Sequence, residues 1–290
     1  MAPHLEKFLE IVKGRSLTFV MTYSLFLAAL AIVVASVEWF NTPCQERANA
    51  VAFILPVDPS LTNHSILDAC IAALRTRNLE LGIKKNVSSI TTVQVFDWNG
   101  ELQSLSYRFV QIANVDDGTS TWALRYAAKQ LCADSPPYSL TVAYNADYES
   151  AAQNVYSVFQ RDLPLQYVTE GTLRTSSEDR FATFQHLQSV FPSFRHLPFK
   201  GHLQRTGSWL VARSPPMPIL LNEEAMIGTL QLQRWYTAIG EPVAWKISLV
   251  SSDSYKHNAA KKAFLAISNE MTRRHGNCSS CLDTFGQLFQ

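Results

Sequence analysis

The sequence predicts an α+β protein: a single N-terminal transmembrane helix, a lumenal ferredoxin-like region, and a second α/β region. Three observations predict it. Ser16 to Val37 is an uncharged run of 22 residues, long enough to cross a bilayer core as one helix. Asn99-Gly100, the dipeptide best suited to a tight hairpin turn, stands between the strand-like runs Ile90–Trp98 and Glu101–Ile112. Around that hairpin the order between Ala50 and Tyr144 is strand, helix, hairpin, helix, strand, which is the sequence of a split ferredoxin-like fold.

The anchor sets the topology. Lys7, Lys13 and Arg15 precede it, whereas Glu38 to Ala50 holds only Arg47, so the N-terminus is expected inside. An uncleaved anchor is preferred to a signal peptide. Its apolar run exceeds the usual signal core, and Ala31, Ala35 and Ser36 make a poor cleavage site. Leu5, Phe8, Leu9 and Val12 recur at helical spacing ahead of it, and Trp39-Phe40 suits the far interface. The expected organisation is a stub over 1–15, the anchor over 16–40, a ferredoxin-like domain over 50–162 and a second region over 163–290.

Features beyond the anchor fit a lumenal placement. Three glycosylation sequons begin at Asn63, Asn86 and Asn277. Cys44, Cys70, Cys132, Cys278 and Cys281 are disulfide candidates, an odd number that leaves one unpaired. Cys278-Ser-Ser-Cys281 follows a predicted helix instead of opening one, which favours a local disulfide over a redox dithiol. Zinc lacks enough ligands nearby, with only His275 close.

Each element has its own signal. Ala50 to Val57 is an apolar run ended by Asp58-Pro59, hence a buried strand. Ile66, Ala69, Cys70, Ala73 and Leu74 share one helical face, with Asn63 or Ser65 as N-cap and Gly82 near the stop. In the hairpin, a two-residue turn sets Trp98 opposite Glu101 and puts Ile90, Phe96, Trp98, Leu105, Tyr107 and Phe109 on a buried face. Asp97, Ser104, Ser106 and Arg108, around Val93 and Val95, then form the wetter one. Thr119–Cys132 and Asp147–Gln160 read as helices, with a strand at Tyr138–Tyr144 between them. Further on, Ser177–Val190 is a short helical stretch in an extended connection, Ser208–Ala212 a strand, Asn222–Ile239 a helix, Val243–Val250 a strand and Tyr255–Arg274 a basic helix.

Reactive patterns are sparse. No serine elbow, phosphate-binding glycine loop or zinc-protease motif occurs, and no cofactor or metal is expected. Asp116-Asp117-Gly118 could hold a divalent cation but suits a turn ahead of a helix better. Glu223-Glu224 suits a helix N-terminus. The densest basic and aromatic cluster is His186, Phe191, Phe194, Arg195, His196, Phe199, Lys200, His202 and Arg205. Within it Phe191, Phe194, Arg195, Phe199, Lys200 and Arg205 form a candidate interaction loop.

With a formal net charge of +1, nucleic acid is not an expected partner. The function these features predict is a non-enzymatic, single-pass membrane glycoprotein of the endoplasmic reticulum, Golgi or plasma membrane, binding protein partners as an accessory or assembly subunit of a membrane complex. Its partners would be the bilayer, through Ser16 to Val37, and other subunits of that complex. The alternatives are an anchored lumenal transferase or hydrolase acting on glycans or lipids through Asp97, Asp116, Asp117 or Asp147, and a viral or cell-surface envelope protein.

Overall fold

A computed structural model describes residues 50–83, 88–128, 150–160, 166–175, 183–196, 201–222, 225–276 and 278. The chain forms β1 (Ala50–Val57), α1 (Asn63–Arg75), β2 (Leu79–Leu81), β3 (Ser89–Asp97), the single turn α2 (Glu101–Ser104), β4 (Tyr107–Asn114), β5 (Ser120–Ala128) and β6 (Ser150–Gln160). It continues with β7 (Gln166–Thr175), α3 (Phe184–Val190), β8 (Gln204–Arg213), β9 (Met217–Leu221), β10 (Ala225–Thr237), β11 (Pro242–Ser251) and α4 (His257–His275).

The sheet order β11-β1-β6-β7-β5-β4-β3-β8-β10 returns to its start, because β10 pairs with β11 as well. These nine strands therefore close into a barrel, and β9 and β2 extend from β10 outside the ring. β1 and β6 run parallel. Closure leaves no free edge in the ring, and it divides each strand into residues facing the lumen and residues facing out.

Two apolar cores cover the outside. On one side Phe53, Leu230, Leu232, Trp245, Ile247 and Leu249 pack under α1 and α4. α1 supplies Ile66, Ala69, Cys70, Ala73 and Leu74, the face its sequence spacing predicts. Phe53 and Phe264 meet with ring centroids 5.4 Å apart, and Phe159 closes the trio edge-on. On the other side Tyr107, Phe109, Trp122, Leu124, Tyr126 and Leu173 pack under α3 and the turn that follows it, through Leu187, Val190, Phe191 and Phe194.

The ferredoxin-like prediction is overturned by this closed ring. β1, α1, β11 and α4 form where the sequence places a strand, a helix, a strand and a helix. However, the predicted helix over Thr119–Cys132 contains β5, that over Asp147–Gln160 contains β6, and that over Asn222–Ile239 contains β10. The reason is a strand buried on both faces. In β5, Trp122, Leu124 and Tyr126 enter the outer core while Ala123 and Arg125 take the opposite side, so alanine and leucine are chosen by packing instead of helix propensity. Strands from both sides of position 162 pair with one another, β1 with β11 and β3 with β8. The predicted strand at Tyr138–Tyr144 lies outside the described residues.

The hairpin is corrected too. Asn99 and Gly100 take positive φ, 51° and 81°, but they lead into α2 instead of closing a two-residue turn. Phe96 pairs with Phe109 as a result. Asp97 holds this arrangement: its carboxylate accepts from the amides of Trp98 at 2.6 Å, Leu102 at 2.9 Å and Gln103 at 3.3 Å, filling donors that the start of a helical turn leaves open.

Among the described residues no helix is long and apolar enough to cross a membrane. The Ser16 to Val37 run itself lies outside those residues. With the ferredoxin-like binding domain replaced by a barrel, the single-pass membrane glycoprotein, its bilayer and complex partners and its secretory localisation are not carried further.

Candidate functional site

The lumen is where charge gathers. Along β8, β10 and β11, Val211, Trp235 and Ala244 form one cross-strand row and belong to an apolar cluster with Val93 and Val110. Two residues further along each strand, on the same face, the next row is Arg213, Gln233 and Lys246. The row after that pairs Gln231 with Ser248, and the Gln233 amide donates to the Gln231 side-chain oxygen at 2.8 Å. On the opposite arc Arg108 pairs with Arg125, and Arg125 with Glu170.

These two arcs feel each other. Lys246 keeps 8% of its surface and Arg108 9%. Burial pushes the Lys246 amine well below its ordinary value, and the Arg125 and Arg213 charges push the same way. Arg213 is lowered by burial and then by Arg125. For Arg108 burial is again the largest effect, opposed by Asp97 and reinforced by Arg125. The Arg125 Nε donates to the Glu170 carboxylate, while Nε of Arg213 is buried with no hydrogen-bond partner among the described residues. Four cations from β4, β5, β8 and β11 thus converge in an enclosed, mutually repelling set. Among the described residues, Glu170 accepts from Arg125 and Asp97 is engaged with the α2 amides.

Little in the sequence singles these residues out. Arg108 and Asp97 do fall on the face expected to be wet, but that face turns into the lumen instead of bulk water. Arg125, Arg213, Glu170 and Lys246 are not among the predicted site residues. The signal present was a lone cation in an alternating apolar strand, as in Trp122-Ala-Leu-Arg-Tyr126 and Ala244-Trp-Lys-Ile-Ser248.

The predicted site residues are dispersed. Phe191 and Phe194 of the interaction loop are fully buried core side chains, Phe194 lying edge-on to Tyr107 at 5.1 Å. Arg195 and Arg205 are exposed, and Phe199 and Lys200 lie outside the described residues. Phe194→Ala should cost about 3–5 kcal/mol in a denaturant melt and Arg195→Ala under about 0.5 kcal/mol, the reverse of what an interface would show. Asp116 and Asp117 sit in the β4–β5 turn, where Asp117 accepts from the Thr119 amide at 2.9 Å and hydroxyl at 2.6 Å. Asp147, Glu223 and Glu224 lie outside the described residues.

Of the disulfide candidates, Cys70 is a free thiol in the α1 core, pushed up to about 12 by burial, hence unreactive. Cys278 is disulfide-bonded; Cys44, Cys132 and Cys281 lie outside the described residues, as do Asn86 and Asn277. Asn63 is exposed at the first position of α1. Among the described residues no three His, Cys, Asp or Glu side chains come together in a way that could hold a metal.

No protein-family model matches this chain and no curated protein is similar to it in sequence. Solved structures share a related shape at low identity. The proposed adenylyl cyclase HpAC1 from Hippeastrum, described as having a dominant triphosphatase activity, is 11% identical over 82% of this chain and 96% of that one, with a TM-score of 0.41. A proposed adenylate cyclase from Bacillus halodurans is 11% identical over 82% and 98%, with a TM-score of 0.38. Another, from Vibrio parahaemolyticus, is 9% identical over 77% and 87%, with a TM-score of 0.33. Likeness at this level assigns no activity to this chain.

Proposed function

We propose that the barrel binds a phosphate-rich polyanion in its lumen. The observation that carries this is the convergence of Arg108, Arg125, Arg213 and Lys246 inside a closed sheet, where they repel one another. Like charges removed from water cost several kcal/mol each unless something of opposite sign meets them. Phosphate oxygens match the forked donors of arginine, and a polyanion answers several clustered cations at once. An acetate-sized anion would neutralise one cation and leave the others in place.

The test is calorimetric titration of the full chain with inorganic tripolyphosphate, paired with a thermal melt. The expected result is one bound anion per chain, affinity that falls as salt rises, and a higher melting temperature with ligand present. Neither heat nor a melting shift at millimolar tripolyphosphate would overturn the reading.

A further inference from the structure

Outside the barrel, the face of β3, β8 and β10 carries apolar residues that belong to none of the apolar clusters, namely Ile90, Leu210 and Ala212. One cross-strand row crosses this face: Arg234 pairs with Ala212, Ala212 with Ile90, and the Val115 amide donates to the Ile90 carbonyl at 3.1 Å. Three strand spacings, roughly 14 Å, separate its ends. Tyr236, Leu210 and Thr92 form the next row on the same face. Ile90 keeps 46% of its surface and Val115 58%. Apolar side chains left open side by side on one face are what an interface covers.

The two ends of the row carry opposite charges. At one end the Arg234 guanidinium lies 5.2 Å from the Trp245 ring centroid and 5.3 Å from that of Tyr236, and Nη2 donates to the Pro59 carbonyl at 3.5 Å. These contacts fix where the cation stands without supplying a countercharge. Among the described residues Arg234 forms no ion pair, and its buried Nε has no hydrogen-bond partner. At the other end Val115 runs into Asp116-Asp117. Asp117 accepts from Thr119, whereas the exposed Asp116 carboxylate has no partner among the described residues. The Asp116 amide donates to the Asn114 side-chain oxygen at 3.1 Å, so the turn itself is held.

We propose that this face is a dimer interface whose occupant is a second copy of the chain. A two-fold axis laid along the strands between β8 and β3 turns the row end for end. Arg234 then stands over the partner's Asp116, Ala212 meets the partner's Ile90, and each contact occurs twice. Such self-complementarity is what a symmetric pair requires. One patch thereby satisfies the open charge at each end and covers the open apolar side chains between them. With a narrow apolar middle, it belongs with small, reversible interfaces.

Sedimentation equilibrium of the full chain, up to several hundred micromolar, tests this. The expected result is a reversible monomer–dimer equilibrium that weakens as salt rises. Asp116→Lys sets like charges over each other twice per dimer and should weaken association about a hundred-fold, as should Arg234→Glu. Combining the two substitutions reverses the pair and should bring association back to within about ten-fold of the parent. Ile90→Asp places a charge in the apolar middle and should leave a monomer. Thermal melts establish that each variant is folded; where Arg234→Glu is not, Asp116→Lys and Ile90→Asp, both at exposed positions, carry the test. A parent chain monomeric throughout the range, a dimer indifferent to Asp116→Lys, or a folded double variant no more associated than either single one would overturn the inference.

Discussion

Replacing Lys246 by Met is expected to raise the melting temperature of the free protein and to remove most of its affinity for tripolyphosphate. Both effects have one cause. The amine is buried and faces Arg125 and Arg213, so protonating it in the empty barrel is costly, and an apolar side chain of similar length avoids that cost. Removing a buried charge that two like charges oppose is expected to gain about 1 kcal/mol, which is a few degrees in a chain of this size. With the anion present the balance reverses, because the charge then also faces phosphate oxygens, and its loss should weaken binding about a hundred-fold.

The pH dependence follows from the direction of the shift. The folded value of Lys246 is depressed below its ordinary 10.5, so between those two values the unfolded chain binds the extra proton. Stability from this group therefore rises with pH across that window and is lowest below the folded value. The advantage of Lys246→Met should shrink as pH climbs toward 10.5. Anion binding should take up a proton, strengthening as pH falls toward the depressed value; calorimetry in buffers of different ionisation enthalpy measures this directly. A Met variant less stable than the parent at neutral pH, and still binding tripolyphosphate normally, would remove Lys246 from the site.

How much of this the sequence could disclose depends on what each segment packs against. α1 and α4 are amphipathic helices lying on one outer core, and their apolar spacing identifies them without knowledge of the partner. β1 and β11 are recognisable because their runs are short and apolar or β-branched. β5 and β10 are harder. Their outward residues are apolar because helices or loops cover the barrel, and their inward residues mix Ala, Gln and Arg because the lumen is polar. A helix with one polar stripe has a similar composition, and only the strict alternation Leu230-Gln231-Leu232-Gln233 distinguishes them. Phe191 and Phe194 mislead in the same way: beside Arg195 they resemble an exposed docking loop, whereas the chain folds them under Tyr107. The cation cluster was unreadable for a stronger reason. Arg108, Arg125, Arg213 and Lys246 are separated by up to half the chain, and only closure of the ring through β10 and β11 brings them together.

Arg125 and Glu170 allow the lumen's role in folding to be separated from its role in binding. The Arg125 Nε donates to the Glu170 carboxylate, with side chains 25% and 12% exposed. Arg125→Met leaves that carboxylate enclosed without its partner and should cost about 3 kcal/mol, less whatever is regained by relieving Lys246 and Arg213 of a like charge. Arg125→Met with Glu170→Leu removes both charges, so its melting temperature should return to the parent value or exceed it. Neither variant should bind tripolyphosphate at the parent affinity. Glu170→Gln runs the other way: it keeps the Arg125 cation, removes its anion, and should lower stability while tightening tripolyphosphate binding about ten-fold. A barrel in which Arg125 served only to hold β5 against β7 would lose binding together with stability in every one of these variants. Opposite movement of the two in Glu170→Gln is expected only if the guanidinium reaches the anion.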